Sequence, residues 1–289
     1  MSMNAPETMG VIYRLQLSQL HPHPQNPFSI RDDQAMLDLI QSVQTHGVLV
    51  PAIARPRPEG DFEIIAGHRR KHASELAGLD FMPVIVLDLN DDEAIIQLVD
   101  SNIQRENILP SERAKAYKMR MEAMKRQGAR TDLTSPNISA KFRSDDELGQ
   151  EIGVSGDTIR NYASLTNLIP ELMQMVDEGR IKLSPAYQIA ALPSNEQSLL
   201  LDTIESEQAT PSLSQAQRMK RLSQSGDLNE DVLLEIMMEQ KKPVRNDITL
   251  SGEKLRKYFP KSYSPIQMEN VIFKLLEAWQ RKRQRDQSR

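Results

Sequence analysis

The chain has no cysteine among its 289 residues. That excludes a disulfide framework, a thiol nucleophile and a cysteine zinc site. It also lacks any run approaching the roughly 18 consecutive apolar residues that a membrane-spanning helix needs. The first residues do not follow the basic-then-apolar layout of a secretory signal, so a cytoplasmic location and no membrane partner are expected. There is no internal repeat and no low-complexity tract. Net positive charge is missing too: 36 Lys and Arg stand against 40 Asp and Glu, a balance of -4.

What charge there is lies in blocks. Residues 11–110 carry 8 basic against 14 acidic side chains, residues 111–143 carry 9 against 3, and residues 254–289 carry 10 against 3. Where charge sits matters more for nucleic acid than its sum, so two basic islands on an acidic body keep DNA among the partners. Solvated helical faces would give the same islands, and position relative to the motifs must decide.

With 39% hydrophobic residues the chain can bury a core of about two domains. Residues 1–10 form a tail. Val11 to Leu20 alternates like a strand, and a proline-rich loop runs from His21 to Phe28. A helix over residues 32–46 ends at Gly47. Strands follow over 48–54 and 62–66, then a helix over 69–76 and a strand over 82–89. From residue 92 to 222 the periodicity predicts consecutive helices: 92–103, 110–127, 145–152, 156–166, 169–178, 184–191, 194–206 and 212–222. The spacing leaves 223–246 as a linker region and closes with a strand at Asp247–Leu250 and a helix from Pro265 to about Arg285. The expected fold class is α+β: a small mixed α/β domain over 11–107, an all-α domain over 108–222, and a short strand-helix segment over 247–289.

One local sequence breaks a rule. Phe62-Glu-Ile-Ile-Ala-Gly-His-Arg-Arg-Lys puts Arg69, Arg70 and Lys71 in the first turn of a helix, where the macrodipole disfavours each cation by about 0.3–1 kcal/mol. A bound phosphate would repair this by accepting the free N–H groups and the arginine forks, with Gly67 permitting close backbone approach. Pairing with acidic residues of the same domain is the structural alternative. A second polar cluster, Asp100-Ser-Asn-Ile-Gln-Arg-Glu-Asn107, closes a helix and could face the same ligand; an ordinary helix terminus would also look like this.

Further on, a glycine at 153 aligns with the tight turn of a helix-turn-helix. Leu148, Ile152, Val154, Ile159 and Tyr162 then occupy the inward positions and Gly149 the close approach of the two helices. Ser155 caps the second helix, leaving Gly156, Asp157, Thr158, Arg160 and Asn161 on the part that enters a major groove. Arg can read guanine and Asn adenine. Lys141 and Arg143, in the loop before the motif, are expected to hold phosphates. A structural αα-hairpin would share this pattern.

The boxes Gly47-Val-Leu-Val-Pro, Ile65-Ala-Gly-His-Arg-Arg-Lys-His-Ala-Ser-Glu-Leu-Ala-Gly78 and Asn102-Ile-Gln-Arg-Glu-Asn-Ile-Leu-Pro-Ser-Glu-Arg-Ala114, in this order and spacing, resemble the N-terminal domain of the ParB partition family. The resemblance covers roughly residues 11–190. It implies a site for CTP with magnesium in which Gly67, Arg69 and Arg70 contact phosphates while Asn102 and Arg105 complete the pocket. It also implies a homodimer joined near the C-terminus, a ParA-type ATPase as partner, nucleoid or plasmid association, and a nucleotide-driven clamp on a centromere-like inverted repeat of double-stranded DNA. His68 and Ser101 stand where family members carry glutamates tied to the metal and to hydrolysis. Binding is therefore expected in preference to hydrolysis, with weak CTPase activity as the most that could remain, and no catalytic residue is assigned. A transcription regulator or nucleoid-associated protein on the same scaffold is the alternative within this class, and a small-molecule kinase the alternative outside it. The pairs His21 and His23, and His68 and His72, lack convergent ligands, so no metal site is assigned. On the last helix Met268, Val271, Ile272, Leu275, Leu276 and Trp279 make one apolar stripe that needs a partner surface.

Overall fold

The computed structural model describes residues 11–105, 107–131, 144–239, 255–260 and 262–287. Packing divides the chain into two units, Met1–Glu239 and Gln240–Arg289. In the first, strands β1 (Ile12–Gln16), β2 (Leu20–Pro22), β3 (Ala52–Pro56), β4 (Phe62–Ala66) and β5 (Phe81–Val86) form one sheet in the order β1-β5-β3-β4-β2. The β1/β5 and β3/β4 pairs are antiparallel; β3/β5 and β2/β4 are parallel. Leu17, Leu20, Ala52, Ala54, Ile64, Met82 and Val84 make its core.

Helix α1 (Gln34–His46) starts where Asp33 accepts the Met36 N–H, and it packs Met36 and Val43 against Ala73 of α2 (His68–Leu76). Helix α3 (Asp91–Ile103) has a reciprocal Asn90/Glu93 cap and three acids in its first turn, both favourable at a helix N-terminus. Its Ala94 and Leu98 cover Ile65 of the sheet.

The expected strand at 48–54 begins only at Ala52. Leu49 and Val50 are exposed, and the Val50 and Pro51 carbonyls are taken by Arg70 rather than by a neighbouring strand. Proline, having no N–H, could not have donated to the ladder there.

The helical part comprises α4 (Pro110–Thr131), α5 (Ser144–Ile152), α6 (Gly156–Ser164), α7 (Pro170–Asp177), α8 (Leu183–Ile189), α9 (Ser194–Glu207) and α10 (Leu213–Ser225). Its main core gathers Leu165, Leu172, Ile189, Leu200 and Met219 among others. A second core crosses residue 107: Phe28, Val99 and Ile103 pack with Tyr117, Leu148 and Ile159. Residues 223–246, expected as a linker, contain α11 (Glu230–Met238), capped by Asn229. Leu233, Ile236 and Met237 are buried on it and join the main helical core, which ties this helix to the helical part.

In the second unit, α12 (Pro265–Gln287) is the expected closing helix. Met268, Val271 and Ile272 are half-buried, while Leu275, Leu276 and Trp279 remain 52–64% exposed. The expected strand at Asp247–Leu250, the tail over 1–10 and the phosphate-contact residues Lys141 and Arg143 lie outside the described residues.

Candidate functional site

The chain leaves β4 through Gly67, which caps α2 with φ 108° and ψ 19°. A Cβ on Gly67 would stand 2.8 Å from the Ala52 Cβ, so both the left-handed backbone and the close approach to β3 require glycine. The start of α2 thereby faces the end of α3 across a cavity of about 160 Å³. All five residues expected to bind a nucleotide line it: Gly67, Arg69, Arg70, Asn102 and Arg105. His68 and Ser101 line it as well, with Asn26, Phe28 and Ile30 from the loop after β2. That loop was missed as part of a site. Its only sequence signal was the proline-rich stretch, which says turn and not ligand. A neighbouring cavity of about 270 Å³ shares Phe28, Arg69 and Arg105 and adds Arg31, Asn107 and Glu112.

The cations divide between the two readings. Lys71 pairs with Glu75 one turn on, and Arg69 has only a 3.5 Å contact to Asp33. Among the described residues Arg70 pairs with no acid; its Nη1 donates to the carbonyls of Val50 and Pro51, each at 2.7 Å. Arg105 donates to Asn102 Oδ1 at 2.9 Å. Burial lowers the pKa of Arg70, and burial together with the nearby Arg69 lowers that of Arg105. The site thus holds positive charge that the protein itself incompletely neutralises, at a helix N-terminus. His68 Nε2 and Arg69 Nε are buried without a partner among the described residues. Such groups suit a polyanion. A hard cation fits less well, because the described residues lining the smaller cavity include no carboxylate.

Burial first, then the positive neighbours His23, Arg105 and Lys71, push His68 down to about 4, so it is neutral at pH 7. In the unfolded chain a histidine takes up its proton near 6.5. Stability from this group is therefore complete above pH 6.5 and is lost as pH falls toward 4, by roughly 3 kcal/mol in all. Urea unfolding at pH 5 and pH 7 should show wild type losing stability on acidification and His68→Gln losing clearly less. Burial lowers His23 in the same direction, which leaves a residual slope. Identical slopes in the two proteins would refute the assignment.

Elsewhere, His21 pairs with Asp61 at 3.2 Å and His72 with Asp32 at 2.9 Å, while His23 lies 3.9 Å from Glu63.

The α5–α6 pair has the geometry expected of a helix-turn-helix. Gly153 turns with φ 81°, and the Ser155 side chain accepts the Thr158 N–H at 3.2 Å. Leu148 and Ile159 are fully buried, with Ile152, Val154 and Tyr162 packed against them. Tyr162 is edge-on to both Tyr117 and Tyr187, with centroids 5.7 and 5.9 Å away, which seats α6 between α4 and α8. Ser155, Asp157 and Asn161 are exposed and Thr158 is half-buried.

One expectation changes. Gly156, placed outward by the sequence reading, is buried: a Cβ there would meet the backbone of Asp146 at 3.1 Å, so this glycine lets the start of α6 approach α5. Arg160, expected to read guanine, binds the carboxylates of Asp145 and Asp157 in the free chain and lies 3.9 Å from Asp146. Beside this motif, α4 exposes Lys115, Lys118 and Lys125.

Residues 1–103 match the family model for the ParB N-terminal domain, and residues 137–224 match that for the ParB HTH domain. The chain is 29% identical over 187 residues to the chromosome-partitioning protein Spo0J of Thermus thermophilus, a match covering 65% of this chain and 62% of that protein. It is 29% identical over 252 residues to the stage 0 sporulation protein J of Bacillus subtilis, covering 86% and 79%. A truncated Caulobacter crescentus ParB, solved in complex with its centromeric parS site, aligns with a TM-score of 0.44 and 22% identity over 78% of this chain and 98% of that one. Both family domains, in order and on the elements that carry the cavity and the helix-turn-helix, place the chain in the ParB family.

Proposed function

We propose that the chain is a ParB-type, site-specific DNA-binding protein that recognises a centromere-like inverted repeat and takes CTP in the cavity between α2 and α3. The observation that carries this reading is the joining, within one packed unit, of an incompletely neutralised cationic cavity and an exposed helix-turn-helix face. Gly67 and the start of α2 receive the phosphates, Arg69 and Arg70 grip them, and Asn102 and Arg105 close the opposite wall. When CTP is bound, its own phosphate oxygens would provide the ligands for magnesium that the cavity walls lack.

On DNA, Asn161 and Thr158 face the bases, Ser155 and Asp157 lie at the backbone edge, and Arg160 braces α5 against α6. The lysines of α4, with Lys141 and Arg143, hold phosphates. Two such modules on an inverted repeat require a dimer, and the exposed Leu275, Leu276 and Trp279 of α12 supply an apolar stripe for it. Marking a plasmid, mobile element or chromosome for a ParA-type ATPase is the corresponding role.

Selection from a random duplex library by the full chain tests this: an inverted repeat should be enriched, and enrichment of no motif would reject the reading. On the selected duplex Asn161→Ala should cost about 1–3 kcal/mol while leaving binding to random DNA little changed. Lys125→Ala should weaken both alike and lower the salt slope by about 1. Equal losses from both substitutions on both duplexes would contradict this division.

A further inference from the structure

Arg120, in the middle of α4, is 5% exposed and belongs to neither the cavity lining nor the DNA face. A guanidinium withdrawn from water this far must have its donors satisfied. Its Nε and Nη2 donate to the two oxygens of Asp100 at 2.6 and 3.1 Å. Nη2 also donates to Glu151 Oε2 at 2.5 Å, and Nη1 reaches Met124 Sδ at 3.0 Å. Burial opposes its charge, but the bonds to Asp100 and Glu151 outweigh burial and raise its pKa.

The positions of the two carboxylates give this node its meaning. Asp100 lies on the last turn of α3, two residues before Asn102, whose side-chain oxygen holds Arg105 on the cavity wall. Glu151 lies on the last turn of α5, directly before the turn into α6. A planar fork bonded to both oxygens of Asp100 cannot slide along it. Any shift of the end of α3 therefore displaces either the guanidinium or Glu151. A second α3–α4 pair joins Asp92 to Arg126 at 2.6 Å.

We propose that Arg120 is a positioning residue through which the cavity wall at the end of α3 and the helix-turn-helix sense each other's ligands. This rests on the functional reading above and adds its regulation. Coupling of this kind is reciprocal: whatever CTP does to DNA affinity, DNA does to CTP affinity.

The test is calorimetry on the full chain with CTP and the selected duplex, comparing wild type, Glu151→Ala and Arg120→Met. Glu151 is about half exposed, so Glu151→Ala cuts the arm to α5 while Asp100 still pairs the guanidinium. In wild type, saturating CTP should change DNA affinity at least about fivefold, a typical coupling. In both variants that ratio should fall below about twofold, while CTP affinity without DNA stays near wild type. A purely structural role would lower the melting temperature and leave the ratio intact. Retention of the wild-type ratio in Glu151→Ala overturns the proposal, as does a wild-type ratio of one. Absence of any CTP binding by wild type is a separate outcome: it removes the functional reading itself, and this inference with it.

Discussion

Gly149→Ala is expected to lower specific DNA affinity more than tenfold and to destabilise the Met1–Glu239 unit by about 1–3 kcal/mol, the usual cost of overpacking. An alanine Cβ at this position would lie 2.7 Å from the Val154 carbonyl oxygen, 3.0 Å from the Gly156 nitrogen and 3.1 Å from the Ser155 carbonyl carbon. All three are backbone atoms, so no side chain can swing aside. Relief requires α5 to move away from the start of α6. That motion would strain the two bonds the Gly149 carbonyl accepts, from Gly153 and Val154 at 2.9 and 2.8 Å, and would open the seam between Leu148 and Ile159. Gly153→Ala is the control. It has left-handed φ but nothing within 4 Å of the added methyl, so it should lose about 1 kcal/mol of stability and keep its DNA site. Thermal unfolding and fluorescence anisotropy on the selected duplex would measure both. Equal DNA affinity in Gly149→Ala and wild type would mean that α6 is not the reading helix.

Arg70→Ala should weaken nucleotide binding by on the order of a hundredfold, from the loss of charged hydrogen bonds that together are worth about 3 kcal/mol. The Val50 and Pro51 carbonyls already hold this side chain, so little rotamer entropy remains to be lost on binding. Arg70→Lys should not rescue it, since an ammonium cannot satisfy two carbonyls and a phosphate with one planar fork. Lys71→Ala is the contrasting case: Lys71 is already paired with Glu75, and its removal should change affinity by no more than about twofold, within the range of an exposed pair. If Arg70→Ala and Lys71→Ala behave alike, the cavity is not the binding site.

Much of this was written locally in the sequence. Helical periodicity and caps placed most of α1 to α10 within a few residues, Gly67 and Gly153 announced their turns through left-handed backbones, and Gly149 announced the close approach of α5 to the start of α6. The asymmetry of three cations at the start of α2 announced the cavity before its walls were known. What was not legible depended on residues distant in the chain. Nothing near Arg160 signals that Asp145, on another helix, will take its fork, and nothing near Arg120 shows that Asp100 and Glu151 converge on it. The strand expected at 48–54 was shortened by a tertiary contact, the grip of Arg70 on two carbonyls. Helix α11 was different: Asn229 as cap and Leu233, Ile236 and Met237 at helical spacing were there to be read.

The most direct measurement is calorimetric titration of the full chain with CTP, ATP, GTP and UTP, each with and without magnesium. Selective binding of CTP, lost in Arg70→Ala, is the expected result. No binding of any nucleotide, or equal binding of all four, would contradict it.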